Sequence, residues 1–317
     1  MKILKMGTRG SPLALAQARL IARELEGLHP DLQVEERIIR TTGDKNQGQA
    51  LPEIGGKGVF TLEIEQALLN GEIDFAVHSM KDLPPEMPAG LVLAAIPRRE
   101  NPCDTLILHD LNIPTPETGD LALKILPIGA RVGTSSGRRA AMLLHLRPDL
   151  QIANVRGNID TRLRKLHEEG FHAIVLARAG MNRAAIEPSN TLNLPESWFV
   201  PAPGQGALAL QSRGSDIATR AVLMAVEDAP TRAAIEAERA VVLHLGAGCS
   251  TPLGALARAV GDAISMHATV LSPDGRERIA VSLQGSGAPE LIGIRAAKSL
   301  LEKGAGAILG QTPRDHA

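Results

Sequence analysis

Three times in this chain a short apolar run stops at a polar residue that opens an amphipathic helix, and this repeated strand-then-helix pattern confines the fold to the α/β class. Residues 3–6 read as a strand. Ser11 then caps a helix, with Pro12 in its first turn and Leu13, Ala16, Leu20, Leu25 and Leu28 recurring at roughly helical spacing. FTLEIEQALLNG reads as the next helix, ended by Gly71, and IDFAV as a strand that runs into His78, Ser79, Met80, Lys81 and Asp82. Prolines 114, 116 and 127 mark a hinge, and beyond them the pattern restarts. RVGT is a strand, SGRRAAMLLHL a helix, QIANV a strand, NIDTRLRKLHEE a helix and HAIVLA a strand. Four Phe, one Trp and no Tyr leave the core to Leu, Ile, Val and Ala, which suits helices packed on buried parallel sheets.

PAPGQGALAL at 201–210 begins as a breaker-rich connection and ends in a strand that returns to the first lobe. After about residue 229 the character changes. A long helical pattern runs through Glu236 to Leu245 and leads to GAGCSTPLG. Alternating segments around ARAV, ISMHATVLS and RERIAVSL then suit an antiparallel sheet, and a last helix falls near 288–303. At 317 residues the chain exceeds one typical domain.

A net charge of −1 gives no global pull towards nucleic acid or an anionic membrane. No stretch approaches the ~20 apolar residues of a membrane span, and the opening lacks a secretory apolar region, so the expected compartment is the cytoplasm. Cys103 and Cys249, with 145 residues between them, form neither a metal-ligand spacing nor a disulfide framework; no metal is expected. GGKG at 55–58 is not a phosphate loop, because Lys57 is followed by Gly58 and Val59 and not by Ser or Thr.

Charge is instead local. Between Arg131 and Lys165 eight basic residues face only Asp149 and Asp160. Thr134, Ser135 and Ser136 lie at a strand-to-helix junction, where hydroxyls and unpaired amides attract anions, with Arg138 and Arg139 in the first turn. Arg156, Gly157 and Asn158 repeat that geometry. Guanidinium forks there suit carboxylates or phosphates. HSMKD places donors and one carboxylate at the carboxyl end of a strand, where α/β folds bind ligands. Cys249, flanked by Gly246, Ala247, Gly248 and Ser250, is the better candidate for covalent chemistry; Cys103 reads as a buried structural cysteine.

Together, TRGSPLALAQA at 8–18, IGGKGVFTLEIEQALL at 54–69, DFAVHSMKDLP at 74–84, VGTSSGRR at 132–139, RGNIDTRL at 156–163, PGQGALAL at 203–210 and GCSTPLGA at 248–255 resemble the porphobilinogen deaminase family in order and spacing over essentially the whole chain. The resemblance implies an α/β protein of three domains. Two lobes like those of periplasmic binding proteins would surround a cleft, beside a smaller α+β domain with an antiparallel sheet. The boundaries expected are 1–105 with 203–228, 110–200, and 229–317.

The same resemblance implies a transferase that condenses four porphobilinogen molecules on a covalent dipyrromethane and releases hydroxymethylbilane for haem synthesis. Dipyrromethane would hang by a thioether from Cys249, with Asp82 as the catalytic carboxylate. Ser79, Lys81, Asp82, Thr134, Ser135, Ser136, Arg138, Arg139, Arg156 and Gly157 are implied as cofactor-binding. Arg9, Ser11, Arg156, Arg162, Arg183, Lys57, Phe60 and Gln205 are implied as substrate-binding. A monomer with a small-molecule substrate, and no nucleic acid or membrane partner, is the expectation.

Four departures from the family pattern stand out: Glu53 where Lys is common, Cys103 where Arg is common, Gly137 where Leu is common, and Gly246 with Ala247 before the Gly-Cys pair. None removes a proposed catalytic group. The rival readings are a two-lobed binding or effector domain, which needs neither Cys249 nor a third domain, and nucleic-acid binding by the 131–165 cluster, against which the scarcity of aromatics argues.

Overall fold

A computed structural model describes residues 1–45, 58, 60–109, 123–248 and 251–310. In chain order, the first elements are β1 (Lys2–Thr8), α1 (Pro12–Leu28), β2 (Leu32–Ile38), α2 (Thr42–Lys45), α3 (Leu62–Leu69), β3 (Phe75–Ser79) and β4 (Leu91–Ala95). Next come β5 (Asp104–Leu108), β6 (Arg131–Gly133), α4 (Gly137–Leu146), β7 (Gln151–Ala153), α5 (Ile159–Glu168), β8 (Ala173–Ala177), α6 (Arg178–Arg183) and β9 (Thr191–Asn193). The chain continues with β10 (Leu208–Arg213), α7 (Ile217–Leu223), α8 (Ala229–Leu245), β11 (Leu253–Val260), β12 (Ala263–Leu271), β13 (Arg278–Ser286), α9 (Pro289–Glu302) and α10 (Ala305–Ile308). The α/β class is confirmed: two five-stranded mixed sheets and a three-stranded antiparallel sheet of order β11-β12-β13.

The two larger sheets share one topology that no sequence repeat announces. Their orders are β2-β1-β3-β10-β4 and β7-β6-β8-β5-β9. In each, a central strand is flanked in parallel by the two that follow it, β2 and β3 around β1, β7 and β8 around β6. A fourth strand, β10 or β5, then inserts antiparallel between the third and the edge. Both inserted strands come from distant sequence: β10 returns as expected from 201–210, whereas β5 enters its sheet upstream of Pro114. A boundary at 105–110 therefore falls within or just after β5. Residues 110–122 lie outside the described set.

Compactness divides the chain into two units, 1–101 with 183–185 and 204–232, and the described residues of 102–182, 186–203 and 233–317. The first unit holds the first sheet, and α1 covers it with Ala18, Ile21 and Leu25, each removed from water. Burial of such aliphatic side chains contributes about 1.5–3 kcal/mol for each large one. Leu25 is buried as expected, but Leu20 and Leu28 are 40% and 52% exposed, because the inward face runs through Ala18, Ile21 and Leu25. Gly71 does end α3, in the left-handed region at φ 74°.

In the second unit the antiparallel sheet shares a core with the second five-stranded sheet. Leu256 and Leu271 join Val132, Leu143 and Phe199 in one apolar cluster. Ala255 N donates to Pro201 O (3.0 Å), and His145 Nδ1 of α4 meets Gly275 O in the β12–β13 turn at 2.9 Å.

Candidate functional site

Parallel strands put their carboxyl ends, and the helix N-termini that follow, on one edge of a sheet. In the first sheet that edge carries Arg9 after β1 and the turn Met80–Asp82 after β3. Met80 anchors the turn: its side chain is buried, its N–H donates to Ala207 O at 3.0 Å, and its carbonyl accepts from Leu83 N at 3.2 Å. Lys81 and Asp82 are exposed at its apex. Ser79 Oγ donates to Gln17 Oε1 of α1 (3.1 Å), and Lys81 Nζ to Gln205 Oε1 (3.4 Å).

The 203–206 loop is clamped beside this turn. Gln205 is buried, and its carbonyl accepts from Arg99 Nε at 2.8 Å. Gly206 O accepts from Arg183 Nη2 (2.7 Å) and from Glu100 N (3.1 Å). Burial pushes the Arg183 guanidinium down to about 10, and Glu100 partly offsets this. Arg183 and Gln205 thus lie together, and Arg99 joins them unforeseen. Its only sequence signal was an excess of charge in PRREN.

Arg9 stacks over the Phe60 ring, 4.0 Å from its centre, which ties the approach to α1 to the approach to α3. Ser11 Oγ accepts from Ala14 N at 3.3 Å, so this side chain caps α1 as its sequence context suggested. Beneath them runs a buried polar chain the sequence reading missed. Gln211 Nε2 donates to Glu65 Oε1 (3.0 Å), which leaves its Oε1 to accept from His78 Nε2 (3.1 Å). Burial drives the His78 pKa down to about 4, against the hydrogen bond to Gln211 and helped by the Arg9 charge; His78 is therefore neutral at pH 7.

The second sheet carries the equivalent edge. Thr134 follows β6, is buried, and accepts from Ser136 N at 3.2 Å. Ser136 caps α4, accepting from Arg139 N at 3.4 Å, and Ser135 between them is exposed. After β7, Arg156 is half-buried and Gly157 takes φ 117°. Asn158 caps α5 through Thr161 N at 2.8 Å, and Arg162 Nε reaches back to Gly157 O at 2.9 Å. Burial first, then the charges of Arg139 and Arg156, press the Arg162 guanidinium down to about 10. Arg139 and Arg156 thus both lie close enough for their charges to act on Arg162.

Arg138 and Arg139, expected as carboxylate ligands, are both buried and engage an internal carboxylate, Asp104. Burial lowers the pKa of Arg138 despite Asp104, and the Arg139 charge adds to the effect. Cys103, expected to be buried, is half-buried, and its thiol bonds Glu196 Oε1 at 3.3 Å. Lys57 and Cys249 lie outside the described residues, as do Glu53 and Ser250. Among the described residues no cluster of His, Cys, Asp and Glu could hold a metal ion, and no helix is long and apolar enough to cross a membrane.

Comparison with known proteins places the whole chain in one group. Residues 4–221 match the family model described as porphobilinogen deaminase, dipyromethane cofactor binding domain, and residues 233–302 match porphobilinogen deaminase, C-terminal domain. The porphobilinogen deaminase of Brevibacillus brevis is 45% identical over 314 residues, 98% of each chain. Those of Syntrophobacter fumaroxidans and Desulforudis audaxviator are 44% and 46% identical, covering 99% and 96% of each chain respectively.

Proposed function

The chain belongs to the porphobilinogen deaminase family, and from that premise we propose how its residues divide the family's reaction among them. The reaction joins four porphobilinogen molecules head to tail, losing ammonia at each, and ends with hydrolytic release of hydroxymethylbilane for haem synthesis. Dipyrromethane is the cofactor. When bound, it supplies the nucleophilic pyrrole carbon to which the first substrate is joined. The residues present fit this group: it is a polycarboxylate, and Arg139, Arg156 and Arg162 gather positive charge at one edge of the second sheet.

In this reading Cys249 carries the cofactor through a thioether. Asp82 is the catalytic group, and the observation that carries the assignment is its place: an exposed carboxylate at the apex of a turn held from beneath by buried Met80 and the Ala207 carbonyl. Loss of ammonia from porphobilinogen leaves a methylene-pyrrole whose positive charge spreads onto the ring nitrogen. A fixed carboxylate stabilises that charge while accepting the ring N–H, with little reorganisation. Thr134, Ser135, Ser136, Arg138, Arg139, Arg156 and Gly157, with Ser79 and Lys81, serve the cofactor carboxylates. Arg9, Ser11, Arg156, Arg162 and Arg183 serve those of substrate and growing chain, with Lys57, Phe60 and Gln205 bordering the site.

We read the division into three domains as following the three sheets and the compartment as the cytoplasm, in keeping with two widely spaced cysteines, and the active species as the monomer that family membership implies. The test is turnover of porphobilinogen with ammonia and product measured together. Binding without ammonia release would reject the catalytic reading.

A further inference from the structure

Asp104 opens β5, where its backbone pairs with Ala177 of β8 and its carbonyl accepts from Leu194 N at 2.8 Å. Its side chain is 0% exposed. Oδ2 accepts from Arg138 Nη2 at 2.7 Å; Oδ1 accepts from Arg139 Nε at 2.8 Å and lies 2.7 Å from Arg139 Nη2. The far sides of the two guanidiniums are also held, Arg138 Nη1 by Val200 O (2.7 Å) and Arg139 Nη1 by Val175 O (3.0 Å). Two side chains of high rotamer entropy are thereby locked at the first turn of α4, directly after the Thr134–Ser136 junction.

A buried ion pair is weak grounds for stability, because desolvation consumes most of its Coulombic gain. Here the arrangement is also unbalanced: two guanidiniums meet one carboxylate, and one positive charge is left over. The surplus is felt nearby, since Arg139 is one of the charges that depress Arg162. A group built only to neutralise would be matched one to one. A group built to aim cations at an incoming carboxylate would keep the surplus and spend its anion on orientation.

We infer that Asp104 is a positioning residue, one that holds Arg138 and Arg139 in preset geometry for the carboxylates of the cofactor. The inference rests on the function proposed above. It is tested by the rate at which purified cofactor-free protein gains the dipyrromethane mass when incubated with porphobilinogen, read by intact mass spectrometry beside thermal melting. Asp104→Ala should load on the order of tenfold or more slowly than the parent, and formate, able to occupy the vacated carboxylate position, should speed the variant without changing the parent. Asp104→Asn, which keeps side-chain volume, should be slow as well even where its melting temperature stays near the parent's.

Loading of either variant at the parent rate overturns the inference. So does a formate effect confined to melting temperature, which would make Asp104 structural alone. A parent that never gains the mass would instead overturn the functional reading beneath it.

Discussion

Gly204 and Met80 approach so closely that a Cβ on Gly204 would fall 2.7 Å from Met80 Cγ and 3.1 Å from Lys81 N, and Gly204 itself takes φ 75°. Only glycine combines that backbone angle with that clearance. The PGQG loop is therefore the floor on which the Met80–Asp82 turn rests. Gly204→Ala is expected to cost roughly 1–3 kcal/mol of stability and, by displacing the turn, a larger share of turnover than of cofactor content. Melting and activity measured on the same preparation decide it; unchanged turnover would show that the turn does not rely on the loop.

Asp82→Asn keeps the shape of the side chain and removes its charge. Turnover should fall by roughly 100-fold or more, the scale of losing one preorganised electrostatic partner, while the covalent cofactor remains on the protein. Steady-state rates with intact mass as control test this, and near-normal turnover would remove Asp82 from the mechanism.

Neutral, buried His78 makes the fold acid-labile. Its pKa is about 6.5 when unfolded and about 4 when folded, so between those values the unfolded chain binds the extra proton. Stability is fully present above about pH 6.5, declines as pH falls, and by about pH 4 has lost roughly 3 kcal/mol from this group. His78→Gln should flatten the dependence of melting temperature on pH across that window. An unaltered slope would mean that other groups set it.

The Cys103 thiol is pushed up to about 12, by burial first and then by the Glu196 carboxylate beside it. Iodoacetamide at pH 8 should leave Cys103 unmodified in the native protein and label it in urea. Peptide mapping separates the two results; native labelling at Cys103 would mean that its thiolate forms readily.

Much of this was legible because the determinants are local. Ser11, Ser136 and Asn158 announce helix starts by residue type and position, and all three caps form. The return of β10 to the first sheet followed from the breakers before it. What escaped is non-local. β5 pairs antiparallel with β8 across some seventy residues, and nothing within CDTLILHD specifies that partner. Asp104 carries no local signal of its role, because Arg138 and Arg139 reach it only in the folded unit. The His78–Gln211–Glu65 chain joins three elements whose side chains meet only in the folded sheet. Leu20 and Leu28 misled because their spacing is helical, whereas the small residue Ala18 sets the inward face.

The central claim, a covalent primer on one cysteine, is tested most directly by intact mass spectrometry of the parent protein beside Cys249→Ser. The parent should carry, or gain on incubation with porphobilinogen, an added mass equal to dipyrromethane, and the variant should not. A parent that stays unmodified throughout, or a Cys249→Ser variant that gains the same mass, would contradict the account.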